Sequence, residues 1–158
     1  MGGIARNDQE LMTLLMKDFL PITKETGDNV LTQVQQSIDT NVYDVYMPKH
    51  YNRLYMNGGF MGSWINEAGI NGFNEIDSTI FSDPFMMEYN SEEFQHGNES
   101  TDRRTEMSED LIYGQGYDWG FNLERNFWEP IEEWIQSGEL DSVFEAMMNR
   151  HGISWIKI

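Results

Sequence analysis

The fold is decided by residues 11–46, LMTLLMKDFLPITKETGDNVLTQVQQSIDTNVYDVY, where apolar side chains recur every three or four positions. A helix has 3.6 residues per turn, so this spacing places them on one face and predicts a long helix. Pro21 and Gly27 interrupt the pattern, which predicts either one kinked helix or two helices that meet near residues 21–28. In the second case Asp28 is the N-cap of the second helix, and Pro48 ends the helical stretch. The apolar positions are Leu11, Leu15, Phe19 and Ile22, followed by Leu31, Val34, Ile38, Val42 and Val45.

Strand signals follow the helix. Residues 62–69 and 75–82 are short, rich in β-branched and aromatic residues, and separated by a turn that contains glycine, so they predict two strands. Phe85, Met87 and Tyr89 lie two positions apart, as one face of a third strand would. Residues 111–113 give a further strand signal.

The C-terminal part of the chain is helical again. Phe127, Ile131 and Trp134 mark one helix, which stops at Gly138, and later apolar residues mark a second helix that ends near Gly152. We therefore expect an α+β fold with a long N-terminal helix packed on a small, mostly antiparallel sheet, and with C-terminal helices. At 158 residues the chain corresponds to a single domain, 1–158, with a mobile acidic loop at 90–109 and a C-terminal extension at 138–158.

The charge excludes several classes of function. The chain has 27 acidic and 10 basic side chains, a formal charge of −17, which argues against simple binding to nucleic-acid phosphates. It has no cysteine, so disulfides, thiolate metal sites and cysteine nucleophiles are excluded. The sequence contains no run of about 18 apolar residues, which is the length that a membrane-spanning helix needs. We expect neither a specific nucleic-acid partner nor a membrane.

A search for catalytic and metal-binding motifs gives nothing. The three histidines lie in different predicted elements and have no ligand at the spacing of a metal site. Phosphate-binding loops and nucleophile elbows do not occur, and Glu129, Glu132 and Glu133 fit the solvated face of a helix. We expect no enzyme, no catalytic residue, no metal and no cofactor.

The most distinctive stretch is VYDVYMPKHYNRLYMNGG, residues 42–59. Its tyrosines and Arg53 are the side-chain types that are enriched at protein–protein interfaces. The alternative is that these side chains seal the junction between helix and sheet within the chain.

The order of motifs over residues 10–137 resembles a family of virion proteins. After the tyrosine segment come YDWG, residues 117–120, and RNFWEP, residues 125–130. This order is similar to that of the tail-completion, or head–tail joining, proteins of long-tailed bacteriophages, often labelled minor capsid proteins. The chain departs from their pattern at Leu54, which replaces the second arginine of a pair, and at Asn126, which replaces a proline.

The resemblance implies a structural virion protein at the head–tail junction. It implies a homo-oligomeric, six-fold ring around the DNA channel, assembled in the bacterial cytoplasm, with portal or adaptor proteins on one side and the tail tube on the other. The residues that we expect to contact other subunits are Tyr43, Tyr46, Tyr51, Arg53, Trp119, Arg125 and Trp128.

The acidic charge has three interpretations. Residues 88–145 carry 16 of the 27 acidic side chains. In a ring, acids such as Glu92, Glu93 and Glu99 would face the channel and keep DNA from adhering. The alternative function is an acidic DNA mimic that inhibits a DNA-binding host enzyme, and the third interpretation is that the charge serves solubility alone.

Overall fold

The N-terminal apolar stripe forms one continuous helix, α1 (Asp8–Ile38), in the computed structural model. Asn7 caps it, because its Oδ1 accepts a hydrogen bond of 2.8 Å from the amide of Glu10. Pro21 lies inside the helix without ending it, so of the two predicted alternatives the structure has the single helix. A π-helical turn (Asp39–Tyr43) continues α1, and the helical stretch ends there. The structure describes residues 5–45, 57–72, 75–87, 104–105, 107–113 and 125–154.

Two antiparallel strands, β1 (Trp64–Asn71) and β2 (Glu75–Ser82), form the sheet that the sequence predicts. α1 meets these strands at Gly27, where a Cβ atom would lie 2.6 Å from Asn66 Oδ1 and closer still to Ser78 Oγ. Asn66 Nδ2 donates to the carbonyl of Lys24 at 3.0 Å and to Asp28 Oδ1 at 2.8 Å. Gly27 therefore permits close contact between helix and strand, and Asp28 holds a strand residue instead of capping a helix.

The other two strand predictions are wrong where the structure describes them. Pro84–Met86 forms a 3₁₀ turn, because Asp83 caps it and a proline suits the first helical position. Residues 111–113 belong to a short helix, α2 (Met107–Tyr113). Of the predicted acidic loop, residues 107–109 open α2, whereas most of the rest lies outside the described residues.

Two C-terminal helices confirm the prediction for that region: α3 (Glu129–Gln136) and α4 (Glu139–Arg150). Gly138 separates them with a φ of +87°, a conformation in which other residues are strained. After α4 the chain turns at Gly152, whose amide donates to the Asn149 carbonyl, while the next amide donates to the Met148 carbonyl. Both bonds satisfy carbonyls at the helix end. Residues 153–154 form no strand, and the rest of the predicted terminal strand lies outside the described residues.

The molecule is therefore of the α+β class, and it divides into two compact units. The first unit buries Met16 and Ile22 of α1, and Met148 of α4. The helical spacing predicts Val45 on the inward face, but Val45 is 62 % exposed, because it follows the π-helical turn, which changes the angular spacing of the side chains. In the described part of the chain, no helix is long and apolar enough to cross a membrane. The first unit comprises Met1–Leu31, Asn66–Ile80 and Trp134–Ile158, and the second comprises Thr32–Ile65 and Phe81–Glu133.

The second unit has its own apolar core. Val34 and Ile38 of α1 are fully buried there, four residues apart, as the helical spacing predicts. Ser37, on the same helix, is also buried, and its hydroxyl donates to the carbonyl of Phe127 at 2.6 Å. Among its described residues, the buried apolar ones are Val34, Ile38, Val42, Tyr43, Phe60, Trp64, Met87, Leu111, Phe127 and Ile131.

Candidate interaction surface

Four aromatic rings form a cluster in the core of the second unit. Phe127 is fully buried, and its ring meets those of Phe60 and Trp64 edge to face, with centroids 5.5 and 5.7 Å apart. Trp128 is half-buried and stacks on Trp64 with centroids 5.8 Å apart and an angle of 26° between the rings. Such pairs contribute about 0.5–1.5 kcal/mol each beyond the area that they bury. The cluster therefore holds the start of β1 and the segment before α3 together.

One polar atom in this aromatic cluster is not satisfied. The indole Nε1 of Trp64 is buried and has no hydrogen-bond acceptor among the described residues. An unpaired buried donor costs about 1–3 kcal/mol, and the ring contacts around Trp64 offset this cost.

Tyr43 joins the π-helical turn to the segment before β1. Its side chain is buried, and its hydroxyl accepts a hydrogen bond of 3.1 Å from the amide of Met61. This contact lies within the second unit and fits the interpretation that the tyrosine segment seals an internal junction at this position.

Ser63 connects the start of β1 to the end of β2. It is fully buried, and its hydroxyl lies 2.7 Å from the Phe60 carbonyl and 2.8 Å from Ser82 Oγ. Its carbonyl accepts a hydrogen bond of 2.8 Å from the amide of Asp83. Ser63 thereby fixes the point at which the chain leaves β2 and enters the 3₁₀ turn.

The 3₁₀ turn at Pro84–Met86 is held at both of its ends. At the start, the carboxylate of Asp83 accepts a hydrogen bond of 2.9 Å from the amide of Phe85. At the end, Met87 is buried, and its carbonyl accepts a hydrogen bond of 2.9 Å from Arg104 Nη1. Moving the side chains of this turn into the core would require breaking these two hydrogen bonds.

Phe85 lies at the outer side of this turn and is 82 % exposed. Burial of a phenylalanine side chain is worth about 1.5–3 kcal/mol, which the chain forgoes here. Because the backbone of the turn is already held at both ends, covering Phe85 orders only its side chain and costs little further conformational entropy. Phe85, with its half-exposed neighbour Met86, therefore forms the strongest candidate contact site among the described residues. Sequence reasoning missed it, although the Asp83–Pro84 pair carried the signal of a capped turn.

The residues predicted to contact partners are only partly described. Tyr43, Arg125 and Trp128 all belong to the second unit. The amide of Arg125 donates to the Leu111 carbonyl at 2.9 Å, which ties the segment before α3 to α2. The remaining predicted residues lie outside the described part of the chain and stay predictions: Tyr46, Tyr51, Arg53 and Trp119, together with the acids Glu92, Glu93 and Glu99.

The described residues contain no group of three or more histidine and acidic side chains that could hold a metal ion. His151 lies on the surface, where its Nε2 is 3.1 Å from Glu25 Oε1, and Arg150 Nη1 is 3.3 Å from Glu25 Oε2. Surface pairs of this kind contribute little to stability, and this one links α4 to α1.

Comparison with known proteins gives one match. The family model YomN matches residues 7–150, which is most of the chain. The family's name derives from a Bacillus phage, so the match indicates a phage-related protein and says nothing specific about tail completion. No curated protein and no solved structure shows significant similarity to the chain.

Proposed function

The chain belongs to the YomN family, and from this premise we propose that it is a structural virion protein at the head–tail junction of a phage. In this proposal several copies form a ring around the DNA channel. The ring binds a portal or adaptor protein on one side and the tail tube on the other. The function needs no chemical reaction, so it depends on contact surfaces alone.

The observation that carries the proposal is the exposed Phe85 on its fixed turn. A virion protein functions in contact with other subunits, so apolar side chains that are exposed in the free chain become covered in the assembly. Contacts of this kind are dominated by a few well-held aromatic side chains. Phe85 meets that description, because Asp83 and Met87 hold the turn on either side of it.

The net charge of −17 supports assembly on a template. Like charges oppose the association of identical free subunits, so the ring forms when a neighbouring virion protein positions the copies. Head-to-tail contacts close into a ring when the rotation between the subunits allows it. Acidic side chains at the channel would then repel the phosphates of passing DNA.

The test is to restore the joining of heads and tails. Filled heads and free tails are isolated from a phage that lacks this protein, and the purified protein is added. Joined particles are counted by electron microscopy. The wild-type protein is expected to join them. Phe85→Ser should weaken binding to heads or tails by about thirtyfold, the loss typical of one dominant aromatic contact.

Ile70→Ser is the matched control, because Ile70 is also an exposed apolar residue but lies in the first unit. Phe85→Ser should change the free energy of unfolding by less than about 0.5 kcal/mol because Phe85 is 82 % exposed, whereas Ile70 is half-exposed in β1 and Ile70→Ser should cost about 1 kcal/mol without preventing folding. Wild-type protein that fails to join heads to tails would refute the function. Joining by Phe85→Ser at the wild-type level would refute the role of the turn.

The same protein preparation tests the DNA-mimic alternative. A DNA mimic displaces duplex DNA from a basic nuclease, and it does so more weakly as salt rises. Inhibition of the nuclease together with a failure to join heads and tails would favour that alternative.

A further inference from the structure

An apolar groove lies on the first unit. It has a volume of about 480 Å³ and opens to solvent. Of the six lining residues only Thr23 has a polar side chain. A site for a small polar ligand needs several converging polar groups, so the groove suits apolar side chains instead. The lining residues are Leu15, Met16, Phe19 and Thr23 of α1, Ile76 of β2 and Phe144 of α4.

The groove continues along α1 as an exposed apolar stripe. Leu15 is 40 % exposed, and Leu11, one turn before it, is 47 % exposed. Phe19 follows one turn later and is half-buried. At 1.5 Å per residue, the stripe from Leu11 to Phe19 is about 12 Å long. A second helix lying along it could place apolar side chains in the groove over two turns.

The first unit carries an excess of negative charge. Its described residues include eleven acidic and four basic side chains. One of the four, Arg150, is paired with Glu25. The charged chain neighbours of the lining positions on the helices are Asp18 beside Phe19, Glu145 beside Phe144, Lys17 beside Met16 and Lys24 beside Thr23. Glu75 and Asp77 flank Ile76 in β2 and therefore lie on the opposite face of that strand.

We propose that this groove binds an amphipathic helix of another protein, whose apolar side chains are flanked by lysine and arginine. The apolar lining supplies the contact area, and the net negative charge of the first unit favours a basic partner over an acidic one. A second copy of this chain fits poorly, because it brings a charge of −17. The inference depends on the first unit alone and does not rest on the proposed place of the protein in a virion.

The experiment uses the full chain and a synthetic peptide as the probe. The peptide is a fluorescein-labelled helix of about 15 residues with leucine at positions i, i+4, i+7 and i+11 and lysine at the flanking positions. Binding is measured by fluorescence anisotropy. Two comparison peptides keep the length: one replaces every lysine with glutamate, and the other has the lysines and leucines in scrambled order. The wild-type chain is expected to bind the lysine peptide at least about tenfold more tightly than either comparison peptide.

Two variants locate the binding site. Leu15→Lys places a charge at the groove, and Ile135→Lys makes the same chemical change at a position on α3 that does not line it. Both side chains are 40 % exposed in the wild type, so the two changes should cost a similar amount of stability, which urea unfolding checks, and both alter the net charge equally. Leu15→Lys should weaken binding of the lysine peptide by about tenfold, and Ile135→Lys by less than about twofold.

Three results would overturn the proposal. The first is equal binding of the lysine peptide by the two variants. The second is a wild-type chain that binds the glutamate or scrambled peptide as tightly as the lysine peptide, or that binds none of the three. The third is a dimer of the wild-type chain in sedimentation that Leu15→Lys abolishes, because the groove would then be covered by a second copy.

Discussion

Gly27 is where α1 lies against the sheet, and its replacement by alanine tests that contact. A Cβ atom at this position would lie 2.6 Å from Asn66 Oδ1 and would also overlap Ser78 Oγ. Both side chains must therefore move. Asn66 cannot move without losing its hydrogen bonds to Ser78, the Lys24 carbonyl and Asp28.

Two opposing effects decide the sign of the change. Alanine in place of glycine within a helix stabilises the folded chain by about 1 kcal/mol. Three hydrogen bonds at about 0.5–1.5 kcal/mol each amount to about 3 kcal/mol when they are lost together. We therefore expect Gly27→Ala to lower the free energy of unfolding by about 2 kcal/mol.

Urea unfolding followed by tryptophan fluorescence measures this difference. Gly69→Ala in β1 is the control, because an added Cβ there would meet only Asp77 Oδ1, at 4.0 Å, and the change should cost nothing. In a chain that already carries Asn66→Ala and Ser78→Ala, the added methyl meets no polar side chain, and Gly27→Ala should become neutral or stabilising. A Gly27→Ala chain as stable as the wild type, or an equal loss in the background without Asn66 and Ser78, would refute the reasoning.

Two more predictions concern the second unit. Val34 is fully buried, so Val34→Asp should lower the free energy of unfolding by about 3–5 kcal/mol. Val45→Asp, at an exposed position, should change it by less than about 0.5 kcal/mol. Urea unfolding of both chains measures the difference, and equal effects would contradict the assignment of Val34 to the inward face of α1. Asp83→Ala removes the cap of the 3₁₀ turn, so it should cost about 1 kcal/mol and also reduce head–tail joining in the assay that uses Phe85→Ser; an unchanged joining yield would show that the cap does not position Phe85.

The positions of the helices were predictable from the sequence, but the role of the glycine that interrupts the pattern of α1 was not. Apolar spacing alone located α1, α3 and α4. Gly27 was interpreted as a break because glycine weakens helices, yet here it allows contact with a strand that lies about 40 positions further along the chain. The sequence alone does not show which distant residues touch Gly27, so it carries no sign of that contact.

The candidate sites depended even more on distant contacts. Phe85 and Met87 are two positions apart, as side chains on one face of a strand are, so the sequence predicts a strand where Asp83 and Pro84 start a capped turn. The groove takes its walls from α1, β2 and α4, so the sequence could supply the Leu15 and Phe19 stripe but not the residues opposite it. The helix at 107–113 shows the same ambiguity, since a short apolar run fits either a strand or a helix.

The π-helical turn at Asp39–Tyr43 gives the chain a place where its length can change by a single codon. A π turn holds one residue more than an α turn, and the bond from the Asp44 amide to the Asp39 carbonyl, at 2.9 Å, closes it here. Deleting one residue from Asp39–Asn41 would restore ordinary α-helical hydrogen bonds, and the residues after the deletion would stay on the same side of the helix, because the wide turn absorbs its extra residue locally. Tyr43 would then still reach Met61, and Val34 and Ile38 would keep their places. A one-residue deletion within α1, by contrast, would rotate the residues after it by about 100° around the helix axis.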